Sequence, residues 1–308
     1  MNIPVIEAKN LEKRYGEVLA VRGLDLSVQR GEIFGLVGPD GAGKTTTIQM
    51  LCTLLLPSAG EARILGMDTV KQSREIKKRI GYMSERFTLY PTLTVSENLD
   101  FFARLRGMPR EVSEPRKKEL LRFCRLEQFQ GRHAEHLSGG MQKKLALACS
   151  LIHQPEVIFL DEPTTGVDPV SRRDFWRIIS RFLSQGITVL VSTPYLDEAE
   201  RFSRVVLIHQ GQIIACDTPQ NLKQLFDINP RIHLKTIHSI EEFIPHLKTY
   251  PEVKDINVIN EKEIIIVTDK MQDVTQIVKD LSDYGIVSLF QEVSSLEEIF
   301  IHLIENKA

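Results

Sequence analysis

A glycine-rich run with a single lysine lies near the start of the chain and has the residue types of a phosphate-binding loop. Residues 38–45 read G-P-D-G-A-G-K-T. Small residues let backbone N–H groups approach an anion, Lys44 adds a compact positive charge for the β- and γ-phosphates, and the Thr45 hydroxyl suits Mg²⁺. The run predicts a nucleoside triphosphate site, whose contacting residues are Gly38, Pro39, Asp40, Gly41, Ala42, Gly43, Lys44, Thr45 and Thr46.

Two acidic residues follow an apolar run later in the chain and could act on the same phosphates. Val157–Leu160 ends in Asp161 and Glu162. Asp161 is expected to hold Mg²⁺ directly or through water, and Glu162 is expected to polarise a water molecule for attack on the γ-phosphate. The alternative is an acidic pair that only solvates a strand end. The phosphate-binding loop upstream favours the catalytic interpretation.

These groups need elements that hold them at one edge of a sheet. Residues 32–37 form a predicted buried strand and residues 46–56 a predicted helix, so the loop lies between strand and helix, as phosphate binding requires. Later apolar runs, separated by helical segments, have the pattern of strands buried on both faces. The sequence therefore predicts an α/β fold with a mostly parallel core sheet, whose later strands are Val157–Leu160, Thr188–Ser192 and Val205–Ile208.

A helical insert is predicted between the loop and the acidic pair, over residues 88–153. Thr94 and Glu97 have the spacing of a capping box at the start of its first helix, and another helical run follows Ser138. The apolar positions that recur at helical spacing in the first helix are Val95, Leu99, Phe102 and Leu105.

The pattern changes near the linker predicted at Asp227–Pro230. Beyond it, strands and helices follow in the order βαββαβ with a final helix, which predicts a small ferredoxin-like α+β domain. We therefore expect two domains, over residues 1–228 and 229–308. The helices predicted in the second domain are Ile240–Tyr250, Val274–Tyr284 and Leu296–Ile304.

Charge and composition exclude several classes of protein. The 39 basic residues nearly balance the 41 acidic ones, so there is no electrostatic argument for a nucleic-acid partner. No apolar run approaches about 18 residues and the N-terminus has no leader pattern, so we expect a cytosolic chain that cannot cross a membrane alone. The four cysteines are expected to be reduced, and His133 with His136 is expected to lie in a solvated loop.

A third segment, Leu137–Gly140, reads L-S-G-G and lies between the loop and the acidic pair. With the three segments in this order, residues 3–225 resemble the ATP-binding subunits of ABC transporters. The resemblance implies a P-loop ATPase with an added antiparallel β subdomain and with ATP and Mg²⁺ as cofactors. It also implies a head-to-tail dimer, in which the γ-phosphate held by one subunit is covered by three signature residues of the other, Ser138, Gly139 and Gly140.

Four further positions take their meaning from the resemblance. Tyr15 corresponds to the aromatic residue that stacks on adenine, the alternative being a partly buried strand tyrosine. Glu85 replaces the usual glutamine and is expected to remain a catalytic residue and a Mg²⁺ ligand. Asp40 replaces the commoner asparagine, and its charge is expected to add mild repulsion towards the phosphates unless its side chain points away. Pro194 replaces the switch histidine that donates a hydrogen bond to the γ-phosphate, and proline has no such donor, so we predict slow hydrolysis.

The replaced histidine resembles the altered half of asymmetric ATPase pairs in export systems. We therefore expect a second ATP-binding subunit as partner, in a heterodimer rather than a homodimer. An ATP-gated regulatory module with negligible hydrolysis is the alternative function.

The resemblance also implies a separate membrane permease as partner. The chain would lie at the cytoplasmic face of the cell membrane, contact the permease through residues 87–102, and power export of small hydrophobic compounds or drugs. ABC-type ATPases of DNA repair carry long coiled coils, and those of translation usually carry two cassettes with a basic linker. The sequence has neither feature.

Overall fold

Three β-sheets organise the chain in a computed structural model, which describes residues 4–86, 89–226, 231–241, 243–251, 253–268, 279, 285–292 and 294–305. The chain divides into two units, Met1–Pro219 and Gln220–Ala308. The described strands are β1 (Ile6–Tyr15), β2 (Val18–Val28), β3 (Ile33–Val37), β4 (Ala59–Ile64), β5 (Met67–Asp68), β6 (Ile80–Met83), β7 (Val157–Asp161), β8 (Thr188–Thr193), β9 (Arg204–His209), β10 (Gln212–Asp217), β11 (Arg231–Thr236), β12 (Val253–Asn260), β13 (Glu263–Thr268) and β14 (Ile286–Glu292).

The core sheet of the first unit has the strand order β10-β9-β3-β8-β7-β6. All of its pairs are parallel except β9 with β10. Every residue of β3, β7 and β8 is buried, which explains their apolar runs, since a parallel sheet is covered on both faces. The pairs Val37 with Thr193 and Asp161 with Ser192 bring the carboxyl ends of these strands to one edge. The mostly parallel core sheet predicted from the sequence is confirmed.

A second sheet of the same unit is antiparallel, in the order β2-β1-β4-β5. Its apolar side shares a core with the parallel sheet. Leu11, Val21 and Ile64 of the one pack in the same buried cluster as Phe34 and Phe159 of the other. This sheet is the antiparallel β subdomain implied by the family resemblance.

The described helices of eight or more residues include three in the insert, where α3 begins with the predicted capping box between Thr94 and Glu97. Val95 and Leu99 are buried in α3, and Leu105, its last residue, is exposed. No helix in the described part of the chain is long and apolar enough to span a membrane. The helices are α1 (Lys44–Leu51), α2 (Ser73–Arg79), α3 (Val95–Leu105), α4 (Arg110–Cys124), α5 (Gly139–Leu151), α6 (Pro169–Ser184), α7 (Leu196–Ala199), α8 (Pro219–Leu225), α9 (Ile244–Leu247) and α10 (Leu296–Glu305).

The helix after the phosphate-binding loop is shorter than the predicted 46–56. It begins at Lys44 and ends at Leu51. Thr53 has a φ of 61°, in the left-handed region that an α-helix cannot contain, so the chain turns away before Pro57.

The second unit contains an antiparallel sheet in the order β12-β13-β11-β14. Because β11 and β12 are both antiparallel to the strand between them, they run parallel to each other, as in a split βαβ arrangement. The predicted helix 240–250 is only one turn, α9, because Pro245 has no N–H and stands at a helix start. The predicted helix 274–284 lies outside the described residues except for Lys279, and the predicted linker 227–230 lies outside them entirely.

We expect Gly35→Ala to lower the free energy of unfolding of the first unit by about 1–3 kcal/mol, because the new methyl group overpacks the core. A Cβ at this position of β3 would lie 2.3 Å from Cδ2 of Phe202, a buried ring that packs on Trp176. Urea titration followed by the fluorescence of Trp176 measures the change.

The matched control is Gly131→Ala, whose Cβ would meet no heavy atom within 4 Å. Its unfolding midpoint should match the wild type, with a change within about 0.5 kcal/mol. Equal midpoints for both variants would contradict the packing explanation.

Candidate nucleotide-binding site

The phosphate-binding loop joins the end of β3 to the start of α1, so its backbone N–H groups and the helix N-terminus face the same space. Glycine is required at several of its positions. Gly43 is the N-cap of α1 with a φ of 100°, and Gly41 has a φ of 77°. At Gly38 a Cβ would lie 2.1 Å from the carbonyl oxygen of Ile208, so no side chain fits.

Lys44 is buried at the centre of the loop, with 4% of its surface exposed. Its Nζ donates hydrogen bonds to the carbonyl oxygens of Gly38 (2.8 Å) and Pro39 (3.0 Å). The same Nζ lies 3.2 Å from Oε1 of Glu162. In this structure the ammonium group therefore satisfies its three donors with protein oxygens, and a phosphate must displace some of them.

Asp161 ends β7 and lies beside the first turn of α1. Its Oδ1 accepts hydrogen bonds from the hydroxyls of Ser192 (2.6 Å) and Thr45 (3.1 Å). Burial raises the pKa of the Asp161 carboxyl, while these two hydrogen bonds act in the opposite direction. The adjacent Thr45 hydroxyl and Asp161 carboxylate are hard oxygen donors, so their chemistry fits Mg²⁺.

Glu162 stands next to Asp161 in a conformation that is unusual for its residue type. Its φ is 47°, in the left-handed region. The backbone N–H of Glu162 donates to the carbonyl oxygen (3.1 Å) and the hydroxyl (3.0 Å) of Ser192, and Oε2 accepts from the Thr165 hydroxyl (3.3 Å). The neighbouring strand thus holds a turned backbone that directs the carboxylate towards Lys44, and the sequence carries no direct signal of this conformation.

One cavity of about 610 Å³ joins these groups. It brings together the phosphate-binding loop, the acidic Glu162, the exposed Glu85 and Pro194, the predicted switch position. Ala20, from β2, was not predicted to be there. Asp40 lines the cavity with its side chain 93% exposed, which removes most of the repulsion expected from its charge. The lining residues are Ala20, Asp40, Gly41, Gly43, Lys44, Thr45, Thr46, Glu85, Glu162, Thr165, Pro194 and Tyr195.

Eight predicted site residues do not line this cavity. Four of them are Gly38, Pro39 and Ala42 of the phosphate-binding loop and Asp161 at the end of β7, and the others are Tyr15, Ser138, Gly139 and Gly140. Tyr15 ends β1 as a half-exposed ring under the Lys13 ammonium group, 5.3 Å from its centroid. Ser138 and Gly139 are also exposed, at the N-terminus of α5, where the Ser138 hydroxyl accepts from the N–H of Met141 (3.4 Å). Gly140 faces its own domain, because a Cβ there would lie 2.5 Å from Ser171. An exposed helix N-terminus is free to meet an anion held by another subunit.

The loop before α5 contains the two histidines that were expected to be solvated. His133 and His136 are exposed, with their rings stacked at 5.8 Å between centroids. Glu135 joins them, and the possible ligand atoms of the three side chains lie within 4.8 Å of one another.

The fold and the loop define a P-loop nucleoside triphosphatase. Residues 21–165 match the family model described as ABC transporter. The chain is 44% identical over 219 residues to the probable multidrug ABC transporter ATP-binding protein YbhF of Escherichia coli K12, a match that covers 71% of this chain and 38% of YbhF. Over 306 residues it is 38% identical to the daunorubicin resistance ATP-binding protein DrrA2 of Streptomyces coeruleorubidus, covering 97% of this chain and 94% of DrrA2.

Solved structures agree with these sequence matches. The dimeric ATP-binding cassette MJ0796, in a post-hydrolysis state bound to ADP and phosphate, superposes with a TM-score of 0.64 at 27% identity. The match covers 69% of this chain and 98% of the cassette. The chain belongs to the ABC transporter family as an ATP-binding subunit, and the resemblance seen in the sequence is confirmed.

We expect Glu162→Gln to lower the Kd for ATP by about tenfold, because it removes a buried negative charge and the ion pair that occupies Lys44. Turnover should fall at least 100-fold, since an amide is not a base. Nucleotide affinity is measured by isothermal titration and turnover by phosphate release.

Asp40→Asn is the matched control, because Asp40 Oδ1 lies 3.9 Å from the same ammonium group but in solvent. Its Kd should stay within about twofold of the wild type. If both variants bind ATP equally, the buried ion pair does not compete with the nucleotide.

Proposed function

We propose that this chain hydrolyses ATP to power a separate membrane permease, for export of small hydrophobic compounds or drugs. The observation that carries the proposal is the cavity in which Lys44, Glu162 and Pro194 meet. The names of YbhF and DrrA2 associate those relatives with multidrug transport and daunorubicin resistance, which supports drug-like cargo here.

In the proposed reaction, the loop amides and Lys44 bind the β- and γ-phosphates, and Lys44 exchanges Glu162 for a phosphate oxygen. Glu162, once released, accepts a proton from the attacking water. Thr45, Asp161 and Glu85 would hold Mg²⁺, which supplies positive charge against the charge developing on the phosphates. The signature residues Ser138, Gly139 and Gly140 lie outside this cavity and would complete the nucleotide site of a second subunit.

Pro194 determines how fast this site can turn over. It lines the cavity at the switch position, yet it can donate no hydrogen bond from its side chain or its nitrogen. The transition state therefore lacks one stabilising contact, while Glu162 remains in place. We propose slow hydrolysis rather than none.

We expect Pro194→His to raise turnover by about 10²-fold, the typical value of one hydrogen bond to a charge in the transition state. Steady-state phosphate release by the purified chain measures it. Pro194→Ala is the control, because it removes the proline ring and restores a backbone N–H but adds no side-chain donor, and its turnover should equal that of the wild type. An equal rise in both variants would mean that the proline ring or its missing N–H, not the lost side-chain donor, limits the rate.

An ATP-gated regulatory module is the second candidate function, and Pro194 is the observation that favours it. In that case binding and closure alone carry the signal. Hydrolysis too slow to detect, even with the permease bound, would favour this module over the exporter subunit.

We propose a heterodimer as the working form, with a second ATP-binding subunit whose own switch position has a histidine. Each subunit would lend its signature to the other's nucleotide. The exposed Ser138 cap of this chain would then serve the faster site. Pro194 would confine slow turnover to one of the two sites.

The proposed permease contact includes an aromatic cluster on the insert. Tyr90 is 45% exposed, and its ring packs at 4.4 Å on Phe101, which packs at 5.6 Å on Phe102. The side chain of Asn98 accepts a hydrogen bond from the backbone N–H of Tyr90 (3.0 Å) and donates one to the Tyr90 carbonyl oxygen (3.1 Å). Phe87, also predicted in this contact, lies outside the described residues. Such a contact would place the chain at the cytoplasmic face of the membrane.

We expect the tagged chain, purified from detergent-solubilised membranes of its own host, to retain an integral membrane protein and a second ATP-binding subunit. Its ATPase activity should exceed that of the isolated chain. Tyr90→Ser should weaken retention of the membrane protein, whereas Val112→Ser, at another exposed apolar residue, should not.

Mass photometry with ATP distinguishes a heterodimer from a homodimer. A rapidly hydrolysing homodimer without a second subunit would contradict the asymmetric form.

A further inference from the structure

A buried carboxylate outside the catalytic pair lies behind the nucleotide cavity. Glu198 belongs to the short helix α7 and is 1% exposed. Its Oε1 accepts a hydrogen bond from the Thr164 hydroxyl (2.6 Å), and its Oε2 accepts one from the Thr193 hydroxyl (2.9 Å). A third hydrogen bond comes from the indole N–H of Trp176 (3.2 Å) to Oε1. One side chain thus connects two loops and helix α6.

Burial of the Glu198 carboxylate costs free energy of folding. A buried carboxylate loses its hydration, and only charged or hydrogen-bonding partners compensate. Glu198 has three neutral donors and one cation, the Arg172 guanidinium, whose Nε lies 3.6 Å from Oε1. An apolar side chain of the same size would fill this space at lower cost, so the carboxylate points to a role in holding its partners.

The two hydroxyls belong to neighbouring segments, and each segment contributes one wall of the cavity, Glu162 with Thr165 on the first and Pro194 with Tyr195 on the second. Thr164 follows Glu162 by two residues, and the next residue, Thr165, donates to the Glu162 carboxylate. Thr193 precedes Pro194, and its hydroxyl also accepts from the N–H of Tyr195 (3.1 Å).

The Thr193 wall is tied to the phosphate-binding loop as well. The Thr193 carbonyl accepts from the N–H of Gly38 (3.3 Å). Arg172, which contacts Glu198, also covers the ring of Tyr195 at 4.7 Å. The Glu198 carboxylate is therefore a side-chain link between the two walls, in addition to the hydrogen bonds from the Glu162 N–H to Ser192.

We propose that Glu198 is a positioning residue for ATP hydrolysis, which holds residues 162–168 and residues 192–195 in one fixed arrangement. The inference rests on the proposed ATPase function. Pro194 makes the tie more important, because the switch loop offers no donor of its own at that position and depends on its neighbours for its place against the phosphates.

Amide hydrogen exchange of the nucleotide-free chain tests the tie without any need for hydrolysis. In Glu198→Gln, peptides covering 162–168 and 192–196 should both exchange faster than in the wild type. Glu111→Gln, an exposed change on α4, is the control and should leave both unchanged. Unchanged exchange in either segment would overturn the proposal, because Glu198 would not join the two loops.

ATP turnover tests whether the hydroxyls of Thr164 and Thr193 matter for hydrolysis. Each threonine is replaced by valine, which keeps its size, and by serine, which keeps its hydroxyl. Thr164→Val and Thr193→Val should lower kcat about 10- to 100-fold and leave KM for ATP within about twofold, because a misplaced wall affects the transition state. Thr164→Ser and Thr193→Ser keep the donor and should retain wild-type kcat. Valine variants as active as the serine variants would overturn the proposal.

The single tryptophan of the chain supplies a third measurement. Because its N–H bonds Glu198, the Trp176 emission should change when ATP is added to the wild type, and this change should be lost in Glu198→Gln. A wild type that neither binds nor hydrolyses ATP would contradict the proposed function, and the exchange experiment would still decide the role of Glu198. An emission change retained in Glu198→Gln would contradict the coupling.

Discussion

The nucleotide site depends on one buried ammonium group. Lys44 lies where the carboxyl ends of three parallel strands converge, beside the carboxylates of Asp161 and Glu162. Without a cation at this place, two adjacent carboxylates in a low-dielectric edge would repel each other and any phosphate. The loop that carries Lys44 must therefore wrap closely, and its glycines follow from that requirement.

The buried ammonium group of Lys44 has all of its partners within the protein. Two carbonyl oxygens and Glu162 satisfy its three donors. This internal partner is exchangeable, because a phosphate offers oxygens of the same kind and more charge. Under the proposed mechanism, nucleotide binding would exchange one of these partners for a phosphate oxygen and would release Glu162, the proposed base.

Much of the first unit could be predicted because its signals are local. Fully buried parallel strands need continuous apolar runs, and β7, β8 and β9 lie where those runs stand. The phosphate-binding loop was predictable because backbone geometry demands glycine at fixed spacing. The α9 helix was overestimated because the apolar pattern outweighed Pro245.

The remaining features of the site depend on contacts between distant residues. The sequence around Glu198 does not predict that its carboxylate is buried between Thr164 and Thr193. An acidic residue on a short helix usually faces water. The turned backbone of Glu162 depends on Ser192, thirty residues away in the chain. Only the pairing of β7 with β8 makes these residues neighbours.

The replaced switch residue can be understood from this network. Proline at position 194 removes a donor but adds no bulk that the loop must accommodate, since Thr193 and Tyr195 keep the hydrogen bonds that shape the turn. Under the proposed function, the site keeps its architecture and lacks one contact to the phosphate. In the proposed heterodimer, the signature residues of this chain serve the nucleotide of the partner and must stay correctly placed. They can do so even if the chain's own site hydrolyses slowly. In such a heterodimer a mutation that loosened the walls would harm both sites, whereas Pro194 would affect only its own.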